Sequence, residues 1–433
     1  MERVTIPTTE LEDSREIRHR VLRRPLSRRW LRLGAAFVGA FIAATFLSIL
    51  VYWFAWLAGI GGPDDEPPAA DFAAYWAASS LVLDGEADAV YDAAAIRARQ
   101  EEVARVDDVG LPWLYPPYAL FFVLPLGLAS LGVSLAAWVV VTGGVFLASV
   151  RRICRSRVAI VLAAVFPATL WNVFIGQNGL LTAGLFAWGM LALNSRPVAS
   201  GLTLGLLAFK PQLFPLILVA LLAGRKRLAF AAAVASFGAL LLASVAFFGL
   251  GAWEEFASSV PRTSDLVYEG RFPLAKMQSV TAAVLLAGAT PAVSQVAQAA
   301  AGLISVGFVV WLWRRKVSFE YQAAGLALAA LFAAPYSYHY DLTIMGLAML
   351  WLGVRARQDG WKRWEREVLV LAWFTPLVSL VIGQALHFVI GPFVLLLLMG
   401  LLLRRVLSEE ALSEGPTQAE SGRTSRELNG VLP

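Results

Sequence analysis

Cysteine and histidine are almost missing from this chain. The one cysteine, Cys154, stands among arginines in a short polar stretch, so no disulfide framework exists and the fold must be held by packing. The histidines are His19, His339 and His387. No H-x-x-x-H pair or carboxylate cluster suggests a metal site, and no glycine-rich loop follows a strand pattern. Neither a metal nor a nucleotide cofactor is therefore expected. Charge is scarce as well: 15% of the 433 residues are charged against 58% hydrophobic, and the mean hydropathy is +0.65. A water-soluble domain of this length would not tolerate that composition, so the fold class is an all-α polytopic membrane protein.

What charge there is carries topology. A net charge of +5 and a pI near 9.4 could suggest nucleic acid, but the arginines cluster beside apolar runs, at 15–29, 151–157, 225–227, 314–316, 355–366 and 404–405. They read as positive-inside signals, and no nucleic-acid partner is expected. The first apolar run, about 31–60, is far longer than the roughly 7 to 15 residues of a signal-peptide core. These signals predict a cytoplasmic segment at 1–30, about twelve spans within 31–404, and a disordered cytoplasmic tail at 405–433. Both termini then face the cytoplasm of a cell in whose plasma membrane the chain sits. Two extracytoplasmic loops follow, a long first one at 61–114 bearing short helices and a second at 251–278. No repeat relates the two halves.

The polar groups that are costly in a membrane gather on the outer side. Asp71 opens a helix after Pro67-Pro68 and could be a simple N-cap, worth about 1 kcal/mol. Tyr75, one turn on, and Trp76 flank it with rings suited to a sugar. Tyr115-Pro-Pro-Tyr118 adds rings at the membrane border, where an aromatic belt would also place them. Gly176-Gln177-Asn178 fits a hairpin turn, yet Gln177 is not demanded by one and can bind a hydroxyl or phosphate oxygen. Lys210, between Phe209 and Pro211, needs a partner or a wet recess unless it snorkels. Arg271 and Lys276 add positive charge in the second loop. Tyr336, His339 and Tyr340 fall at i, i+3, i+4 and would share a face of a starting helix, with Asp341 turned partly away. A histidine beside aromatics is also a common packed residue.

The order Asp71, Tyr75, Gly85, Tyr91, Tyr115-Pro-Pro, Gly176-Gln-Asn, Arg196-Pro, Gly201, Lys210-Pro211 and Pro335-Tyr-Ser-Tyr-His339-Tyr-Asp341 resembles glycosyltransferase family 87. The resemblance covers roughly 31–404. It implies a GT-C fold and a polyprenyl-phosphate-mannose-dependent alpha-mannosyltransferase. It further implies a first-loop aspartate as general base, carried onto Asp71, and a late-span histidine, carried onto His339. The paired acids common in such first loops are absent here, since Asp64 and Asp65 are the nearest to Asp71.

An enzyme facing a compartment without nucleotide sugars needs a membrane-borne donor, and inversion at the anomeric carbon needs one base. Asp71 can serve. Lys210, Arg271, Lys276 or His339 could meet the departing phosphate. The expected function is thus a hexosyltransferase acting among membrane lipids, moving a hexose from polyprenyl phosphate to a glycolipid or glycan. The competing reading, a transporter or flippase of a lipid-linked sugar, would favour polar groups near midplane and repeat symmetry.

Overall fold

The computed structural model describes residues 44, 47, 48, 51, 70–104, 111–269 and 272–414. The chain divides into two compact units, 1–65 and 66–433, and everything that positions the site belongs to the second. The expected first span at 31–60 lies almost wholly outside the described residues, as does Arg271.

The first loop carries two helices, as expected. The alanine-rich α1 (Ala70–Leu83) stops where Gly85 takes a left-handed φ of 88° and the Glu86 N–H returns to the Leu81 carbonyl at 2.9 Å. The Asp92 carboxylate caps α2 (Ala93–Ala104), accepting from the backbone N–H groups of Ala94 and Ala95. Phe72, Ala73, Ala74, Tyr75, Ala77, Ala78 and Ser79 are all buried, so α1 is a core element despite its place in a loop.

It is buried partly by the proline-broken segment Pro117–Leu128, a single α turn between two 3-10 stretches. Ser79 stitches the two together, donating to the Leu124 carbonyl at 2.7 Å and accepting from the Gly127 N–H at 2.8 Å. A Cβ on Gly127 would lie 3.0 Å from the Ser80 nitrogen, so only glycine permits this approach.

The remaining helices are α3 (Leu131–Ile153), α4 (Arg157–Ala164), α5 (Pro167–Ile175), α6 (Gly179–Ala192), α7 (Pro197–Gly205), α8 (Phe214–Ala223) and α9 (Arg227–Tyr268). They continue with α10 (Val280–Leu286), α11 (Pro291–Trp313), α12 (Phe319–Ala333), α13 (Thr343–Asp359), α14 (Glu365–Leu386) and α15 (Gly391–Glu414). Among the described residues only one isolated bridge, Met277 with Tyr338, departs from the all-helical plan.

Among the described residues five helices, α3, α9, α11, α14 and α15, are long and apolar enough to cross a membrane, and the α4–α5 pair, bent by 49°, makes a sixth if it is one span. These make a multi-pass membrane protein. Five further apolar helices are shorter, 10–17 residues, among them Gly179–Ala192, Phe214–Ala223 and Phe319–Ala333. Length alone therefore does not make twelve spans of them, since about 20 residues are needed to cross the hydrocarbon layer.

Several expected boundaries move. The expected span 158–174 is two helices broken before Pro167. The second loop is helical as far as Tyr268, because α9 kinks at Gly249 (φ 79°) and runs on. The last helix reaches Glu414, past the point where the polar tail was expected to begin.

α7 packs against α9 through Gly201 and Gly205. A Cβ on Gly201 would come within 2.1 Å of the Ala229 carbonyl oxygen, and one on Gly205 within 2.5 Å of the Ser236 Cβ. This is the small-residue contact that lets membrane helices approach closely. It brings the end of the following 3-10 turn, Leu206–Phe209, and with it Lys210, into the interior.

Candidate active site

Asp71 lies in the first turn of α1 and is partly buried. It does more than cap: its Oδ2 accepts a hydrogen bond from Gln177 Nε2 at 2.7 Å. The tip that presents Gln177 is built for this contact. Gly176 ends α5 in the left-handed region (φ 72°), and a Cβ there would sit 2.4 Å from the Phe72 Cβ. Asn172 organises the return. Its Oδ1 accepts from the Gly179 N–H at 2.6 Å, while its Nδ2 donates to the Tyr340 carbonyl at 3.0 Å and to Thr343 Oγ1 at 2.9 Å. The Gln177 tip and the 334–342 segment are thereby held by one buried side chain that sequence reasoning passed over.

Tyr75 shares the Asp71 face of α1, as the i, i+4 spacing predicts. Its O–H donates to Gln177 Oε1 at 2.5 Å and its ring is boxed by Phe72, Trp113, Tyr115 and Trp138, with centroids 5.9 to 6.4 Å away. Tyr115 O–H lies 3.1 Å from the Tyr75 oxygen and accepts from Asn178 Nδ2 at 2.8 Å. Tyr91, one of the motif tyrosines, fixes the Tyr115 backbone by donating to its carbonyl at 2.9 Å. Trp76 is spent elsewhere, on the Ala129 carbonyl at 2.9 Å, which ties α1 to the end of the broken segment.

Lys210 does not snorkel. It is 2% exposed, and its ammonium is ion-paired with Asp341 Oδ1 and lies 5.8 Å from the Tyr340 ring centroid. Asp341, expected to turn partly away, is thus central: its Oδ2 also accepts the Tyr338 N–H at 3.0 Å. The reason is that residues 334–342 are not helical, and α13 begins only at Thr343. The expected shared face of Tyr336, His339 and Tyr340 consequently does not form. Tyr336 packs against the apolar cluster of Val267, Met277, Ala282 and Val389. Tyr338, absent from the expected set, stacks on Tyr340 with centroids 5.5 Å apart and planes 7° apart.

Burial raises the phenols of Tyr75, Tyr115 and Tyr338 above the ordinary tyrosine range, and the negative charges of both Asp71 and Asp341 add to each. Asn172, bonded to both the Gln177 tip and the Tyr340 carbonyl beside Asp341, joins the Gln177 and Lys210 clusters into one site. His339 borders it. It is buried, edge-on to Trp171, with Nδ1 3.4 Å from the Lys276 carbonyl and Nε2 without a partner. Burial chiefly, with the Lys276 charge adding to it against the hydrogen bond to the Lys276 carbonyl, lowers its pKa to about 4, so the imidazole is neutral at physiological pH. Beneath the hydroxyl network lies a small cavity walled by Tyr75, Trp113, Tyr115, Phe122, Trp138 and Phe209. Asn178 Oδ1 is buried and without a partner, and Asn178 also lines that cavity.

Taken together, a partly exposed carboxylate oriented by Gln177, a compensated ammonium and stacked rings make a site that can accept a proton from a hydroxyl beside a polar, ring-bearing surface. A family model described as glycosyltransferase family 87 matches residues 113–337. The match holds Tyr115, Gln177, Asn178, Lys210 and Lys276, whereas Asp71, His339 and Asp341 lie outside it and join through Gln177, Lys276 and Lys210. No curated protein and no solved structure matches the chain.

Proposed function

The chain belongs to glycosyltransferase family 87, and from that premise we propose that it moves a hexose, mannose by resemblance, from a polyprenyl-phosphate donor to a hydroxyl of a glycolipid or glycan. Asp71 is the general base. It takes the acceptor proton as the new C–O bond forms at the anomeric carbon, and the bond to the phosphate oxygen breaks with its electron pair leaving on the polyprenyl phosphate. One base and direct displacement invert the anomeric centre.

The observation that carries this reading is the Asp71–Gln177 contact at 2.7 Å, which holds a carboxylate in a loop helix against a buried hydroxyl network. The leaving phosphate is met by Lys210 and Lys276, with the His339 edge against the Lys276 carbonyl, while Arg271, the other candidate cation, lies outside the described residues. Tyr338 and Tyr340 offer the sugar a stacking surface. The positive-inside clusters favour a plasma-membrane GT-C protein of about twelve spans, cytoplasmic termini and an extracytoplasmic site.

The test is sugar transfer by purified protein in nanodiscs, given radiolabelled polyprenyl-phosphate hexoses and a membrane lipid extract. Transfer by the wild type that disappears in Asp71→Asn while donor binding persists supports the reading. Equal transfer by both removes Asp71 from the role. Donor crossing the bilayer without transfer makes the chain a flippase.

A further inference from the structure

Gln177 was expected to touch substrate, but both ends of its amide are engaged within the protein. Tyr75 O–H donates to Oε1 at 2.5 Å, and the Asn178 backbone N–H reaches the same oxygen at 3.2 Å. A carbonyl oxygen accepts both hydrogens and an amide nitrogen accepts neither, so the side-chain orientation follows. Nε2 is then the atom 2.7 Å from Asp71 Oδ2, and it donates.

The same reasoning propagates outward. Tyr75 has committed its one hydrogen to Gln177, so Tyr115 O–H donates across the 3.1 Å contact to the Tyr75 oxygen. Asn178 Nδ2 donates to Tyr115 at 2.8 Å. The hydrogens run one way, from Asn178 through Tyr115, Tyr75 and Gln177 to Asp71, so each bond polarises the next and the last acceptor is the carboxylate. The backbone of Gln177 is held too. Its N–H returns to the Asn172 carbonyl at 3.1 Å, and its carbonyl accepts from Trp138 Nε1 at 3.4 Å.

We propose that Gln177 is a positioning residue for the base: it fixes the orientation of the Asp71 carboxylate and favours its ionised form, and it does not contact substrate. This deepens the function proposed above and rests on it, since only a transferase gives Asp71 a proton to take. Among the described residues, groups coupled to this carboxylate include Tyr75 on its own helix, Tyr115 before the broken segment, and Tyr338, Tyr340 and Asp341 of the 334–342 segment. The last is compensated by Lys210. The buried phenols stay protonated through neutrality, so they do not titrate with the carboxylate.

Two readouts test the proposal. In nanodisc-embedded protein labelled with [4-13C]aspartate, the Asp71 resonance is identified by its loss in Asp71→Asn and titrated in wild type, Gln177→Leu and Gln177→Glu. Losing a donor to the charged form should raise the Asp71 titration by about one pH unit in Gln177→Leu, and by more in Gln177→Glu, where two carboxyls share a proton. Tyr75→Phe, which leaves the Asn178 N–H to hold the amide, should move it the same way but less, and it carries the test if the Gln177 variants do not fold. In transfer assays the acid limb of kcat/KM should move up with the titration while KM stays within about twofold.

An Asp71 titration that does not move in any variant overturns the proposal, whether or not the protein is active. So does a raised KM with an unmoved acid limb, which would make Gln177 a substrate contact. A wild type without transferase activity sinks the proposed function alone, because the titration still reports on Gln177.

Discussion

α13 joins two buried polar networks of opposite character. Asp341 stands just before its first residue, and Arg355 and Asp359 lie in its last turns, about 25 Å away for a 17-residue helix. At the far end Glu365, 3% exposed, accepts from Arg405 at 2.5 Å, from Arg404 at 3.2 Å and from the Lys362 N–H at 2.7 Å. Arg405 also donates to the Gly360 carbonyl at 2.8 Å, and Arg355 pairs with Asp359 at 2.9 Å. There full charges meet full charges and tie α13, α14 and α15 together. At the near end Asp71 is held by an amide and a file of hydroxyls, and it keeps partial exposure. A buried carboxylate saturated by guanidinium groups is a poor base, whereas a partly exposed one oriented by an amide can still take a proton. Lys210–Asp341 sits between these types, an ion pair in the chemically active half.

The sharpest way to break this comparison is to remove one charge from each network. Asp71→Asn should lower kcat by about 10²- to 10⁴-fold with the melting temperature nearly unchanged. Arg405→Met, which leaves Glu365 only Arg404 and the Lys362 N–H, should cost about 1–3 kcal/mol of stability while the folded fraction keeps its kcat. Thermal unfolding alongside transfer assays reads both, and a reversal of the two patterns would sink the division into a working end and a structural end.

Lys210→Met should likewise cost about 3–5 kcal/mol by leaving Asp341 buried and unpaired. The double variant Lys210→Met/Asp341→Leu should recover much of that stability without recovering activity. Recovery of both would reduce the pair to packing.

His339 sharpens the comparison through pH. Its pKa is about 4 in the fold against 6.5 ordinarily, so the unfolded chain binds the proton more tightly. The neutral histidine's contribution is present in full above 6.5 and is lost as pH falls through that value toward 4. Melting temperatures measured between pH 4 and 8 should show this slope in the wild type and a shallower one in His339→Phe. The smallest effect expected is that of Gly176→Ala, about 1–3 kcal/mol from the left-handed backbone and the Phe72 contact, with activity falling because Gln177 shifts. Unchanged stability there would mean that the hairpin tip yields without strain.

Composition and hydropathy determined the all-helical, multi-pass class, since long continuous apolar runs satisfy their backbone in lipid as helices, whereas barrel strands alternate apolar and polar residues. The two loop helices, the recessed turn at Lys210, the pairing of Asp71 with Tyr75 on one face and the family were also legible, because each depends on spacing within one segment or on motif order. Residue identity could not say what meets what across the sequence. Asp341, a substrate-binding candidate, was placed partly away from its neighbours because a helix was expected to begin near Tyr336. Instead Tyr338 bridges to Met277 and a turn follows it, which brings Asp341 to Lys210, 131 positions earlier in the chain. Asn172, an ordinary polar residue in a short helix, became an anchor only once Gly179 let Tyr340 come close. Local periodicity is set by the bonds a segment makes with itself, whereas the partners of the Gln177 amide, Asp71 and Tyr75, come from a helix about a hundred positions earlier in the chain.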